Sequence, residues 1–296
     1  MADKAETKGN ILVLVSFLIW GIAPVYWSLF RDMSPFVLVF NRFLWSALFT
    51  LFYLQFRGKL LSGLKSLTKR EMALLCLQGS LLLMNWLAFA YSFVLKQTIQ
   101  AGLGYAMNPL LNIAISVFFF KEKLRKLEIT AIVIACASVL YLIIIARAVP
   151  TIALIVCVSF AMYGTLKKKS THSTTLGLSI ETTIAAAISG LFLIVLNLLF
   201  SMTQVSGETL PIYFLATTGL VTLAPLLLYG SGLRFIPFSR AAFFQFMVPM
   251  LITLVSIVFL NEAIPTKELP GYALMWIALM LYVVSLARTG RKTQKQ

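Results

Sequence analysis

The chain has 296 residues, 60% of them hydrophobic and only 12% charged, with a mean hydropathy of +0.92 and a formal net charge of +15. So few charges cannot cover a water-facing surface, and so apolar a chain is not disordered. A transmembrane β-barrel is excluded as well, because its strands alternate apolar and polar, whereas here apolar runs last about twenty residues.

Ten apolar spans follow in chain order, at residues 9–29, 36–56, 71–95, 97–119, 127–146, 151–166, 177–200, 210–232, 239–260 and 269–287. Most approach the roughly 20 residues that a membrane-crossing helix needs. The connections are short, so consecutive spans are antiparallel neighbours and no soluble domain fits between them. The expected fold class is an all-α integral membrane protein of ten transmembrane helices. The polar start, MADKAETKGN, carries no cleavable-signal pattern, and the first span reads as retained.

The charge of +15 suggests nucleic acid, but a nucleic-acid groove gathers its charge on one folded face. Here Lys and Arg sit in the gaps between apolar runs, as in the loops of membrane proteins. With an even number of spans both termini share a side. That side collects 20 Lys and Arg, the opposite side 4 (Arg31, Lys96, Arg147 and Lys267), and Arg42 stays inside a span. The bias places both termini in the cytoplasm. Cys76, Cys136 and Cys157 are scattered through apolar stretches without metal-ligand spacing, and read as small hydrophobes.

An internal repeat is visible. PLLNIAISVFFFKE from Pro109 aligns with PMLITLVSIVFLNE from Pro249 at a constant offset of 140, with five identities in fourteen positions. SFLIWG from Ser16 aligns with SFAMYG from Ser159 at an offset of 143. Two matches in order divide the chain into five-span copies, 1–148 and 149–296, integrated into one transporter domain. Because five is odd, the second copy enters the membrane from the other side. Inverted repeats of this kind are the architecture of many secondary transporters.

WGIAP at 20–24, NRFLWS at 41–46, NWLAFAYS at 85–92, GLGYAMNPLLN at 102–112, SFAMYG at 159–164 and FFQFMVP at 243–249 resemble the RarD type of EamA permease, in the drug/metabolite transporter superfamily. The resemblance spans essentially the whole chain. It implies a ten-helix inner-membrane carrier with a central cavity lined by spans 1–4 and 6–9, and with spans 5 and 10 to one side. Relatives often carry His where this chain has Asn41, so a His-based proton role is not carried over to that position.

Polar side chains within spans face the bundle interior or a wet cavity. Helical periodicity puts Ser16, Trp20, Ala23 and Trp27 on one face of span 1, Gln78, Asn85 and Ser92 on one face of span 3, and Tyr105, Asn108, Asn112 and Ser116 on one face of span 4. Tyr163 is the repeat partner of Trp20, and Gln245 that of Tyr105. The expectation is a cavity for one small metabolite. Trp20, Tyr105 and Tyr163 would supply flat faces, and Asn85, Asn108, Asn112 and Gln245 hydrogen bonds. The alternative is that the amides tie helices together. Pro109 and Pro249 sit at equivalent places and each removes a ladder hydrogen bond; a paired gating kink and a plain structural bend are both open.

Arg42 and Glu181 are the charges most clearly inside spans. Counting from the span ends, Arg42 lies roughly 9 Å from the outer face and Glu181 roughly 6 Å from the inner one at 1.5 Å per residue. In a core about 30 Å thick they cannot meet. Arg42 either attracts an anionic substrate group at the outer mouth or snorkels to headgroups. Glu181 is either a proton site or, preferred, a cap at the start of its helix. Glu122 and Glu262 close spans 4 and 9 and read as structural.

The leading function is a secondary transporter of small metabolites, such as amino acids, related polar or aromatic compounds, or drugs, working by alternating access. The lack of strong charge at mid-depth leans towards neutral or zwitterionic cargo. No GxxxxGK[ST] loop is present, so ATP is not the energy source. An intramembrane enzyme is disfavoured, because neither HExxH nor GxSxG occurs and the single histidine, His172, follows three lysines in a loop. A non-transporting sensor or scaffold fits inverted repeats poorly. No catalytic set, metal site or cofactor is expected. The expected partners are a small-molecule substrate and the lipid bilayer, not nucleic acid, with proton coupling and a homodimer left open.

Overall fold

The computed structural model describes residues 2–95, 98–146, 151–200, 211–259 and 266–293. Among these residues the elements are helices: α1 (Ala2–Trp27), α2 (Pro35–Phe56), α3 (Leu60–Lys65), α4 (Lys69–Val94), α5 (Thr98–Phe118), α6 (Lys126–Ala146), α7 (Thr151–Lys169), α8 (Thr174–Phe200), α9 (Ile212–Gly232), α10 (Phe238–Gln245), α11 (Met247–Val258) and α12 (Leu269–Thr293), with single 3-10 turns at Ser28–Phe30 and Thr266–Glu268. An apolar chain in lipid has no water to satisfy its backbone, and a helix satisfies it internally. Eight helices are long and apolar enough to cross a membrane, and the shorter apolar stretches Leu103–Phe118 and Phe238–Ile252 lie on α5 and α10–α11.

Local chemistry sets the helix ends. Pro35 occupies the first turn of α2, where its missing N–H costs nothing. Gly58, at φ +63°, turns the chain out of α2 while the Lys59 N–H donates back to the Leu54 carbonyl. Thr68 and Glu71 form a reciprocal capping box at the start of α4, with Thr68 N–H to Glu71 Oε2 at 2.8 Å and Glu71 N–H to Thr68 Oγ1 at 3.2 Å. Lys121, at φ 54°, ends α5 in the left-handed conformation, and the Glu122 N–H donates to the Ser116 carbonyl.

Two packing groups result. Helices α1, α2, α4, α7, α8 and α9 share a large apolar core that includes Phe17, Phe43, Trp86, Tyr163, Leu226 and Tyr229. Within it α1 packs on α9 and α11, α2 on α8 and α9, and α4 on α7 and α8. A second core joins α5, α6, α10, α11 and α12, and α6 and α12 pack chiefly on each other at its side. Glycines mark the tightest crossings. A Cβ on Gly79 of α4 would sit 2.4 Å from the Glu181 carbonyl oxygen of α8, and one on Gly219 of α9 would sit 2.4 Å from Trp45 Cβ of α2. Ser46 Oγ donates to the Gly219 carbonyl across that second crossing at 3.1 Å.

Three features differ from the sequence expectation. The gap 57–70 contains α3, whose Leu60 and Leu64 pack against a small core of Leu54, Leu75, Leu176 and Ile180. α1 begins at Ala2, before the apolar run, and its Glu6 pairs with Arg240 of α10. In the ninth span the helical ladder lapses at Phe246, which keeps helical dihedrals of φ -58° and ψ -20°, so α10 and α11 follow each other as one apolar stretch. Glu262, Lys96 and Arg147 lie outside the described residues.

Candidate functional site

Four of the expected amides form two buried hydrogen-bonded groups, Asn85 with Tyr105 and the trio Asn108, Asn112 and Gln245, each tied to a backbone carbonyl of α7. Asn85 donates to the Val156 carbonyl at 2.7 Å and to Ser159 Oγ at 3.2 Å, and its Oδ1 accepts from Tyr105 OH at 3.1 Å. Asn108 donates to the Cys157 carbonyl at 2.5 Å. Its Oδ1 accepts from Asn112 Nδ2 at 2.8 Å and from Gln245 Nε2 at 2.7 Å, while Asn112 Nδ2 also reaches Gln245 Oε1 at 2.9 Å. The periodicity that grouped these residues on inner faces therefore identified two buried hydrogen-bonded groups. Their amides are spent largely on one another and on backbone carbonyls, so they hold the helices together. One acceptor is left over: Asn112 Oδ1 is buried without a partner among the described residues. Flipping the amide would set its oxygen against two other carbonyl oxygens, so the orientation is fixed.

Trp20 and Tyr163 belong to an aromatic cluster. Trp20 lies 5.5 Å from Phe17, 5.9 Å from Phe160 and 5.7 Å from Tyr229, and Phe160 lies 5.8 Å from Tyr163, all measured between ring centroids. Tyr163 and Tyr229 are fully buried, whereas Trp20 is only partly so. The cluster closes the interior towards the end of the bundle that carries the N-terminus.

Arg42 points inward from α2. Its guanidinium carbon sits 4.2 Å from the ring centroid of Trp27 on α1 and 3.9 Å from that of Trp86 on α4. Its Nε donates to Thr222 Oγ1 on α9 at 3.0 Å. Snorkelling to headgroups is thereby corrected: the side chain is held among three neighbouring helices. Arg42, Trp27 and Tyr105 remain partly accessible, unlike the sealed opposite half, where Phe17, Tyr229, Leu233 and Phe238 are buried. Trp27 shares the inner face assigned to span 1. Trp86 was hidden inside an apolar run, and only its place beside Asn85 could have signalled it.

Glu181 and Arg42 do not meet, in agreement with their depths. The cap assigned to Glu181 is corrected, because the carboxylate is buried and ion-paired. Its Oε1 accepts from Lys167 Nζ at 2.6 Å and its Oε2 from Tyr163 OH at 3.1 Å, with Lys167 only 3% exposed. Lys167 thus leaves the solvated run of three lysines. Lys168 donates to the Leu233 and Ile236 carbonyls, each at 2.6 Å. Glu122 has the structural part expected of it, accepting from the Phe238 and Ser239 N–H groups at 2.7 and 2.9 Å and capping α10.

The two prolines differ. The helical ladder of α5 runs on through Pro109, whereas in the equivalent helix it lapses at Phe246, three residues ahead of Pro249. Asn108 and Gln245, bonded to each other, stand directly at these two places. A shallow groove of about 450 Å³ lies far from this set, between α3 and the start of α8, lined by Lys59, Ser66, His172 and Leu176 among others.

Comparison with known proteins agrees with this architecture. The EamA-like transporter family matches the chain twice, over residues 7–144 and 149–284. The uncharacterized transporter YojE of Bacillus subtilis is 30% identical over 99% of both chains, and protein RarD of Escherichia coli is 30% identical over the full length of both. A solved crystal structure superposes with a TM-score of 0.72 at 18% identity, covering 95% of this chain and 98% of the other, and so shares the fold. With the family matched in both halves and RarD proteins aligned end to end, the chain belongs to the EamA-like transporter family as a RarD-type, multi-pass membrane permease of the drug/metabolite transporter superfamily.

Proposed function

We propose that the chain is a secondary transporter of small polar or aromatic metabolites in the bacterial inner membrane, with both termini cytoplasmic. It is built from two inverted five-helix repeats, residues 1–148 and 149–296, that alternate access to a site near Trp20, Arg42, Asn85 and Tyr105. The repeats are supported by packing that maps onto itself when the halves are exchanged. The α1–α9 contact becomes α7–α4, α2–α9 becomes α8–α4, and α2–α8 and α6–α12 each become themselves. Gly79 and Gly219, 140 residues apart, serve corresponding crossings.

The observation that carries alternating access is the difference between the proline sites. Inverted halves hold unlike shapes in any one end state and exchange them in the other. Here the helical hydrogen-bond ladder runs on through Pro109, while in its counterpart it lapses at one residue, Phe246, ahead of Pro249, the backbone there staying in helical conformation. The partly open half around Arg42 and the sealed half around Tyr229 match an outward-facing state.

The test is counterflow in proteoliposomes preloaded with an amino-acid and metabolite panel, without ATP, with and without a pH gradient. Exchange of at least one compound by wild type, lowered in Trp20→Ala and Asn85→Ala at normal expression, is expected. Absence of exchange for the whole panel by correctly folded protein overturns the reading.

A further inference from the structure

An arginine inside a membrane span ordinarily snorkels to the interface, pairs with an acid or lines water. Arg42 does not snorkel, because the Trp27, Trp86 and Thr222 contacts draw it towards the bundle axis. Nor is it paired: among the described residues no carboxylate lies within ion-pair distance, and the other buried cation of the bundle, Lys167, is already matched by Glu181.

The way it is held selects what it can bind. A guanidinium carries five N–H donors in one plane. The two indoles take up its faces at 4.2 and 3.9 Å, and Thr222 takes Nε. Among the described residues nothing accepts from the two terminal nitrogens. What remains includes their shared edge, two parallel donors whose direction is fixed by contacts on three helices. That edge fits two oxygens of one planar anion, the geometry of a bidentate carboxylate. Tyr26 and Tyr105 stand close enough to interact electrostatically with the cation. Phe89 packs 5.5 Å from Tyr105, giving an aromatic wall beside the charge. With one unmatched positive charge at this place, the complement is a monoanion.

We propose that the terminal-nitrogen edge of Arg42 binds the carboxylate of an organic monocarboxylate, making this the substrate class of the transporter. The inference rests on the transport reading above and sharpens it, replacing the neutral or zwitterionic cargo suggested by the sequence. Loading an anion there gives partners to two more of the five donors of Arg42 and neutralises its charge. The loaded bundle therefore closes over that half more readily than the empty one.

The experiment measures binding rather than transport, on the full-length protein in detergent, by calorimetry and thermal shift. Matched probes are used: acetate, benzoate and phenylacetate, the neutral amides acetamide, benzamide and phenylacetamide, and phenyl phosphate. At least one carboxylate is expected to bind about 10- to 100-fold more tightly than its amide, the worth of a charge-assisted hydrogen-bond pair. Phenyl phosphate is expected to bind more weakly than benzoate. Arg42→Gln should abolish the difference between acid and amide, and Arg42→Lys, which keeps the charge but not the fork, should recover only part of it. The comparison of acid with amide on wild type needs no variant, so it stands even if Arg42→Gln misfolds. Equal binding or equal non-binding of every pair, or tighter binding of phenyl phosphate, overturns the proposal. Counterflow of other compounds persisting alongside such a result would leave the transport reading intact.

Discussion

Removing Lys167 tests whether the buried pair at the sealed end holds the bundle shut. Lys167 Nζ lies 2.6 Å from Glu181 Oε1, and both side chains are almost wholly excluded from solvent, at 3% and 0% exposure. The pair joins α7 to α8, and Gly230 of α9 packs so closely that a Cβ there would sit 2.8 Å from Lys167 Cε. Lys167→Met leaves a buried carboxylate with one phenol donor. Uncompensated buried charges of this kind cost about 3–5 kcal/mol. At roughly 2 °C per kcal/mol for a chain of this size, the apparent melting midpoint should fall by about 6 °C or more. Glu181→Gln alone should cost a similar amount by stranding the ammonium. Lys167→Met combined with Glu181→Gln removes both charges, keeps an acceptor for Tyr163, and should return to within about 1 kcal/mol of wild type. The assay heats detergent-solubilised aliquots and measures the remaining monodisperse protein by size exclusion. Single variants as stable as the double variant would refute the coupling, and with it the idea that this pair must break before the sealed end opens.

Other outcomes follow from the same geometry. Gly79→Val should abolish folded protein, because its Cβ would fall 2.4 Å from the Glu181 carbonyl oxygen, whereas Gly58→Ala, with open space around it and φ +63°, should cost only about 1 kcal/mol; expression and melting of the two variants separate the cases. Glu122→Ala should destabilise by about 1–2 kcal/mol through loss of the α10 cap, read in the same heating assay. Pro109→Ala and Pro249→Ala should both slow counterflow yet shift cysteine accessibility in opposite directions, one towards each face; equal shifts would leave the prolines as ordinary bends. Reporter fusions after Gly58, Lys123 and Lys168 should all report cytoplasm, and one clear reversal would overturn the proposed orientation.

The positions of the helices were readable because lipid allows only one backbone solution for a long apolar run, and each expected span has a helix on it. The amide groups were readable for a related reason: polar residues at three-, four- or seven-residue spacings share a helix face, and in a span that face is buried. Other features depend on partners that no local pattern reveals. α3 lies in a stretch whose charges read as a loop, and its Leu60 and Leu64 gain meaning only against Leu176 and Ile180. Lys167 stands in a run of lysines that reads as solvated, but the helix phase turns it inward while Lys169 stays exposed. Whether the ladder lapses near a proline depends on the surroundings of the freed carbonyl, so Pro109 and Pro249 look alike in sequence and differ in structure. Trp86 was one aromatic among many until Arg42 was found against its face.

The side-by-side packing of α6 and α12 has a practical consequence. The pair touches the rest of the bundle mainly through α5, α10 and α11, and it contributes nothing to the surroundings of Arg42. It therefore supplies a stationary frame against which motion elsewhere can be measured. Leu140 and Met280 are exposed on its outer surfaces. Spin labels there, each paired with a label on α1 or α9, would give distances in which any change belongs to the moving helix alone.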